Sequence, residues 1–428
     1  MRDMSAEARG LKILVLTPFL PAASAPAGCP RAVFDRLTLL APTDRVTVLT
    51  FQSPGEASAT RALHRLGVRV AAVPRDPDRA RSGLGRVAKR LRLIAGLARP
   101  ATPLLVQEFG SPALRRRLRA LLRHERFDLV LVEHILMAQY LRGVSIPCPI
   151  VFSEHDVRLA FPAQAVAPGP PWRRALAGVD ARKWCAYARE ACRRAAAVLV
   201  PSAEDARVLA AAVPGCRPRV VPFGLSAGSE LPLPAPPRDP ATLLFVGNFS
   251  HPPNVDAAVR LCTEILPRIR HVHPEARVQI VGRDPTPAVE RLARAQVVVT
   301  GAVPDVAPYL ARCTVFTAPL REGGGVRMKL IEALQAGAPI VTTPLGAQGL
   351  GAVPGRDLLV ADTALEFAAA VGRLLADPEL RSALSAAGPA LVAAEGRMET
   401  RRGELRAILR TVAGRPTVGP MSGGHPDQ

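Results

Sequence analysis

Lysine is almost missing from this chain. Among 56 basic residues it stands only at 12, 89, 183 and 329, and arginine supplies the rest. A single arginine is therefore weak evidence of a site. Aromatic residues make up 4% of the sequence, and no aromatic–basic interleaving of an RNA-binding kind occurs, so nucleic acid is not the expected partner. No run of 18 clean apolar residues exists, and no transmembrane helix is expected. Residues 1–11 are polar and charged, unlike a signal peptide. The seven cysteines (29, 148, 185, 192, 216, 262, 313) are scattered, odd in number and without a CxxC, which points to reduced thiols in a cytoplasmic protein and away from zinc.

What is present is enough apolar sequence for large cores, 48% of 428 residues, and a length that suits two domains. The net charge of +20 is uneven. Residues 1–228 hold 35 basic and 17 acidic residues, whereas 229–428 hold 21 and 19. Residues 75–126 alone hold 14 and 4. Apolar residues there recur at helical steps (Leu84, Val87, Leu91, Ile94, then Leu114, Leu118, Leu121, Leu122), with arginine between. Two readings stay open for helices 80–126: surface helices with solvated arginines, or peripheral contact with an anionic membrane at its cytoplasmic face.

Strand-like runs alternate with helical spacing along the chain. KILVLT (12–17), RVTVLTF (45–51) and 68–73 open a parallel, doubly wound sheet. FDLVLV ends at Glu133 and His134, and 149–153 ends at Glu154, His155 and Asp156. Ligands gather outside the carboxyl ends of such strands, so His155 is either a ligand contact or a structural histidine well placed to be one. Ser202 with SAED fits a helix start. Residues 229–241 are a Pro-rich hinge. A second series follows over 242–395, with helices at 254–269, 287–294 and 306–311. Asp305 suits a turn. A helix over 396–413, expected to pack back on the first domain, and a disordered tail over 414–428 complete the chain.

The series centres on 314–343, TVFTAPLREGGGVRMKLIEALQAGAPIVTT. It reads as strand, glycine loop, helix, turn and strand. Gly323, Gly324 and Gly325 allow close approach of backbone, and Val326, Leu330, Ala333 and Leu334 share a helix face ending at Gly337. A glycine loop feeding a helix start favours phosphate. Glu332 on that helix can accept hydrogen bonds from hydroxyls.

These motifs resemble the GT-B fold glycosyltransferases, specifically the retaining group called family 4. LLFVGNFS, RVQIVGRDP and VVTGAVPDVAPYLARCTVFTAPLREGGGVRMKLIEALQAGAPIVTT resemble the donor domain, while LVLTPFLPAASAPAGCPR and SEHDV resemble parts of the first. The resemblance implies an α/β architecture with two Rossmann-like domains, parallel sheets facing across a cleft: 1–228 on the acceptor side and 242–395 on the donor side. It implies sugar transfer from a nucleotide-sugar donor, with retention, to a glycan, lipid-linked or small-molecule acceptor in cell-envelope synthesis. No cofactor and no metal are implied. His155, Arg327, Lys329 and Glu332 carry over as catalytic residues. Gly28, Gly247, Asn248, Gly282, Gly301, Val303, Glu322, Gly323, Gly324, Gly325, Val326 and Glu332 carry over as the donor site.

The usual Glu-x7-Glu signature is altered, with Gly324 eight residues before Glu332 and Glu322 as the nearest acid. The basic pair usual near 247–254 is replaced by GNFSHPPN, and Arg327 and Lys329 are the candidates to supply that charge. Two rivals stay open at this level. One is a sugar-nucleotide epimerase of the same architecture. The other is a non-catalytic protein binding sugar nucleotides or membranes.

Overall fold

A computed structural model of the chain describes residues 10–22, 28–75, 102–155, 157, 171–222, 237–323, 327–395 and 398–414. The chain divides into two compact units, one of residues 1–22, 36–222 and 399–428, the other of 23–35 and 223–398. Gly324, Gly325 and Val326, the first basic helical stretch up to 101, most of the hinge, and the tail from 415 lie outside the described residues.

The first sheet is built from β1 (Lys12–Thr17), β2 (Arg45–Gln52), β3 (Arg69–Pro74), β4 (Leu129–Glu133), β5 (Ile150–Ser153), β6 (Ala197–Val200) and β7 (Arg219–Val220). Its order is β3-β2-β1-β4-β5-β6-β7, all parallel. The helices along this stretch are α1 (Cys29–Leu40, its residues up to 35 grouping with the second unit), α2 (Ala57–Arg65), α3 (Leu104–Glu108), α4 (Pro112–His124), α5 (Pro171–Arg194) and α6 (Ala203–Ala212), with a 3-10 turn at Ile135–Leu141. Ile13, Leu14, Val15 and Leu16 are all fully buried, so both faces of β1 are covered. That is why the strands read as unbroken apolar runs rather than alternating ones.

The second sheet holds β8 (Thr242–Val246), β9 (Arg277–Val281), β10 (Val297–Gly301), β11 (Val315–Ala318), β12 (Ile340–Thr342) and β13 (Leu359–Val360), ordered β10-β9-β8-β11-β12-β13 and again parallel. Its helices are α7 (Pro252–Arg260), α8 (Leu266–Val272), α9 (Pro287–Glu290), α10 (Ala307–Arg312), α11 (Met328–Gln335), α12 (Pro344–Ala347), α13 (Ala364–Ala376) and α14 (Pro378–Glu395). A last helix, α15 (Met398–Ala413), groups from residue 399 with the first unit, where Arg406 pairs with Asp44 at 3.3 Å.

Three local differences from the sequence reading have physical causes. The single helix read over 254–269 is α7, a π-turn at Leu261–Ile265, and then α8. Pro267 has no N–H to return to Thr263, and the wider turn accommodates it. The helix read to 294 stops at Glu290, because Arg294 and Val297 exchange backbone hydrogen bonds (3.1 and 2.9 Å) and turn the chain into β10. Ser202 does cap α6, accepting from Asp205 N at 3.1 Å, but the Ser202 hydroxyl donates to Asp205 Oδ2 instead of the acid reaching back. Asp305 takes its turn role, accepting from Ala307 N at 2.9 Å.

Candidate functional site

In the second sheet the strand order reverses between β8 and β11, and the chain segments leaving those two strands meet there. After β8 the chain makes the turn 247–251 and enters α7. Asn248 shapes this turn, its Oδ1 accepting from Ser250 N (3.1 Å) and Ser250 Oγ (2.8 Å). Asn254, in the first turn of α7, donates from Nδ2 back to the Asn248 carbonyl at 2.8 Å. After β11 the chain runs through Pro319 and Leu320 to Gly323 and on to α11. Thr343 ties this path down, donating to Leu320 O at 2.6 Å, and Arg321 pairs with Asp256 of α7 at 2.5 Å.

Lys329 joins the two segments. Its Nζ donates to Asn254 Oδ1 at 2.6 Å and lies 4.7 Å from the centroid of the Phe245 ring on β8. The residue is 9% exposed. Burial, and then the charge of Arg327, push its ammonium down to about 7 against an opposing pull from Glu332. His251 is also held low, by burial and then by the charges of Lys329 and Arg327. Arg327 donates to Gly323 O at 3.0 Å and occupies the N-cap position of α11 without a side-chain cap. The start of α11 adds the positive end of the helix dipole beside these cations.

The helix that carries Lys329 is closed at its far end by a Schellman motif. Gly337, at φ 61°, donates to Leu334 O at 3.0 Å, and Ala338 donates to Ala333 O at 2.9 Å. Arg238 then donates to the Gly337 carbonyl at 2.6 Å. The glycines at the strand ends form a row. Gly247 N donates to Val281 O, and Gly282 N to Gly301 O, both at 3.0 Å. A Cβ on Gly282 would lie 1.7 Å from the Gly247 carbonyl oxygen, so only glycine fits.

The structure thus brings together Gly247, Asn248, Gly323, Arg327 and Lys329, with Gly282 and Gly301 in the adjoining row. Glu332 is half-buried on α11, within electrostatic reach of Lys329. Glu322 is exposed, and Val303 is half-buried against the core. Gly28 opens α1 at φ 93°, its carbonyl accepting from Ala32 N at 3.1 Å.

His155 belongs to a different cluster, in the first unit. Its Nε2 lies 2.6 Å from Glu133 Oε2, and Arg36 donates to Glu133 Oε1 at 2.9 Å and to the Ser153 hydroxyl. Burial drives the Glu133 carboxyl up, but the Arg36 charge and the hydrogen bonds from His155 and Ser153 outweigh it and bring it down to about 2. His134 stacks on His155 with 5.9 Å between ring centroids and holds φ 77°. Burial and the neighbouring His155 push it down to about 3, so its ring is neutral. Leu136 N donates to His134 Nδ1 at 3.3 Å, which puts the remaining ring proton on Nε2.

Asn254, His251, Glu133, His134 and Arg36 were not singled out from sequence as site residues. Arg36 and Glu133 are 97 residues apart and Asn254 and Lys329 are 75 apart, so only the topology pairs them. Among the described residues no group of three His, Cys, Asp or Glu is arranged to hold a metal. No described helix is long and apolar enough to cross a membrane.

Comparisons with known proteins match both halves of the chain. Residues 240–377 match the family model described as Glycosyl transferases group 1, and residues 44–227 match the one described as Glycosyltransferase Family 4. A curated Klebsiella pneumoniae protein, an uncharacterized 44.6 kDa protein in the cps region, is 26% identical over 136 residues, 29% of this chain and 35% of its own length. The match thus spans about a third of that relative. The solved structure of Anabaena HepE in complex with UDP and glucose superposes with a TM-score of 0.63 at 15% identity, covering 94% of this chain and all of that one. Staphylococcus aureus TarM, in complex with UDP and glycan ligands, gives 0.66 at 9% identity, over 93% and 99%. Sucrose-phosphate synthase of Thermosynechococcus elongatus gives 0.62 at 17%, over 94% and 98%.

Proposed function

This chain belongs to the group 1 glycosyltransferases of GT-B fold, and from that premise we propose that it moves a sugar from a nucleotide-sugar donor to an acceptor hydroxyl with retention of configuration. The observation that carries the reading is Lys329 seated against the 247–254 turn, where strand order reverses. The turn itself has no lysine or arginine, and α11 delivers the cation to it from the other segment. Departure of a nucleoside diphosphate loads negative charge onto its β-phosphate. Fixed cations and oriented N–H groups already in place stabilise that charge without reorganising. Lys329, Arg327 and the start of α11 take this role. Glu332 binds ribose hydroxyls, backbone around Gly301 and Val303 lines the base, and His155 contacts the transferred sugar. The leaving phosphate accepts the acceptor's proton, so no protein base is assigned.

Uridine is the favoured base, since HepE and TarM were solved with UDP. The acceptor is a glycan or lipid-linked molecule of the cell envelope, a class consistent with a relative in a cps region. The exposed Arg116, Arg117, Arg119, Arg123 and Arg126 on and beside α4 would face an anionic lipid surface from the cytoplasm. Not all of this basicity is available to a partner, because Arg119 also donates to Gly143 O and Arg115 to Gln139 O, each at 3.0 Å.

The test is incubation with a panel of UDP- and GDP-sugars, with and without anionic vesicles, reading nucleoside diphosphate release and the anomer formed. Transfer with retention supports the proposal. An isomerised donor sugar without release would assign an epimerase, and binding without turnover a non-catalytic module.

A further inference from the structure

Asn254 sits where neither helix propensity nor core packing calls for an amide. It is 9% exposed in the first turn of α7, and all of its side-chain polarity is directed inward. Nδ2 closes the turn onto Asn248 O at 2.8 Å, and Oδ1 receives Lys329 Nζ at 2.6 Å. Space for it is made by Gly247, where a Cβ would meet Asn254 Cβ and Cγ at 3.1 Å. A bare buried ammonium would otherwise withdraw or lose its proton. An amide oxygen accepts from it without cancelling its charge, which a carboxylate would do. We infer that Asn254 is the positioning residue of this site: it holds the Lys329 ammonium at the 247–254 turn, charged and uncancelled, for the diphosphate of the donor. This rests on the reading of Lys329 as the diphosphate cation.

The groups around Lys329 Nζ fit that role. Arg327 and Glu332 flank it on α11, His251 faces it from the turn, Phe245 lies beneath it on β8, and Asp256 of α7 is already engaged by Arg321. Burial and Arg327 lower the ammonium's proton affinity, and the Asn254 oxygen favours the protonated form because a hydrogen bond to a charged donor is the stronger one. An incoming diphosphate favours that form further, so ligand binding takes up a proton. Affinity falls as pH rises through the ligand-free midpoint near 7.

The experiment is calorimetric titration of the full chain with UDP from about pH 5.5 to about pH 8.5, in buffers of differing ionisation enthalpy. The proteins compared are the wild type, Asn254→Ala, Asn254→Asp and Lys329→Met. Wild type is expected to bind with proton uptake and to weaken across neutral pH. Asn254→Ala should bind about tenfold or more weakly at pH 7.5, with its midpoint shifted to lower pH. Asn254→Asp has nearly the same shape, so it keeps the test alive if the alanine variant does not fold. It should also lose about tenfold, with the midpoint shifted upward by about one unit or more as the carboxylate pairs with the ammonium. Lys329→Met should lose both affinity and proton uptake. If Lys329→Met weakens binding but either Asn254 variant keeps wild-type affinity and midpoint, the positioning role is overturned and the diphosphate reading stands. Wild-type binding by Lys329→Met overturns both.

Discussion

At the carboxyl end of β4 a buried carboxylate lies between an arginine and a histidine. At the carboxyl end of β8 a buried ammonium lies against an amide, an aromatic face and the field of a second cation. In the first cluster Arg36, Glu133 and His155 meet one another's charge, with the Ser153 hydroxyl as a further partner. In the second, Lys329 is bonded to a neutral oxygen, and Glu332 only partly offsets Arg327. The proton affinities follow the difference. Glu133 is held ionised far into acid, whereas Lys329 is brought to the edge of losing its proton at neutral pH. Both sites are dry. Compensated charge in such a place organises the fold around it, and uncompensated charge is a standing demand for an anion.

That contrast can be broken most severely in the first unit. Glu133→Ala strands the Arg36 guanidinium and should cost about 3–5 kcal/mol of stability in denaturant titration. The pH dependence has a definite sign. With its folded-state value depressed from 4.5 to about 2, Glu133 contributes stability that is fully present above pH 4.5 and is lost as pH falls toward 2. Next in size is Lys329→Met, which should lower kcat/KM by about 10²–10³-fold, a loss of about 3–4 kcal/mol of transition-state stabilisation. Its Tm should be unchanged or raised. A lysine whose folded value falls from 10.5 to about 7 penalises folding at neutral pH, and that penalty fades as pH rises from 7 toward 10.5. A large fall in Tm for Lys329→Met would erase the distinction between the two clusters.

Smaller changes sharpen it. Gly337→Ala forces a side chain into the left-handed turn that ends α11 and should cost about 1–2 kcal/mol. Activity should fall more than stability alone explains if α11 must be set accurately for Lys329. Thr363→Ala removes a capping box from α13, which carries none of the charged residues of either cluster. It should cost about 1 kcal/mol with kcat/KM unchanged.

Much of the fold was legible in the sequence because its signals are local. Buried parallel strands read as short apolar runs, glycine and proline mark their ends, and the order of runs and helical spacings implies two doubly wound sheets. Gly337 announced the end of its helix for the same reason. Local signals also misled: 254–269 has unbroken helical spacing, and only the missing N–H of Pro267 hints at the π-turn. The candidate site was legible on one side only. Lys329 was a candidate, together with Arg327, for its place beside a glycine loop. Its partner Asn254 was legible only as the first residue of a helix, because an amide shows its value only in relation to what it faces. Glu133 and Arg36 were equally silent, since a buried ion pair is written in two distant, ordinary words. His155 was placed correctly at a strand end, but nothing in SEHDV shows that Glu133 grips its ring.

The contact of Gly282 with the Gly247 carbonyl has a consequence for how this protein can vary. Every amino acid reachable from a glycine codon by one base change carries a Cβ, and at position 282 that atom would collide with the turn before any ligand arrived. No small evolutionary step leads away from glycine there. Mutational drift must pass around the position, and in a saturation library scored for function its column should stand empty.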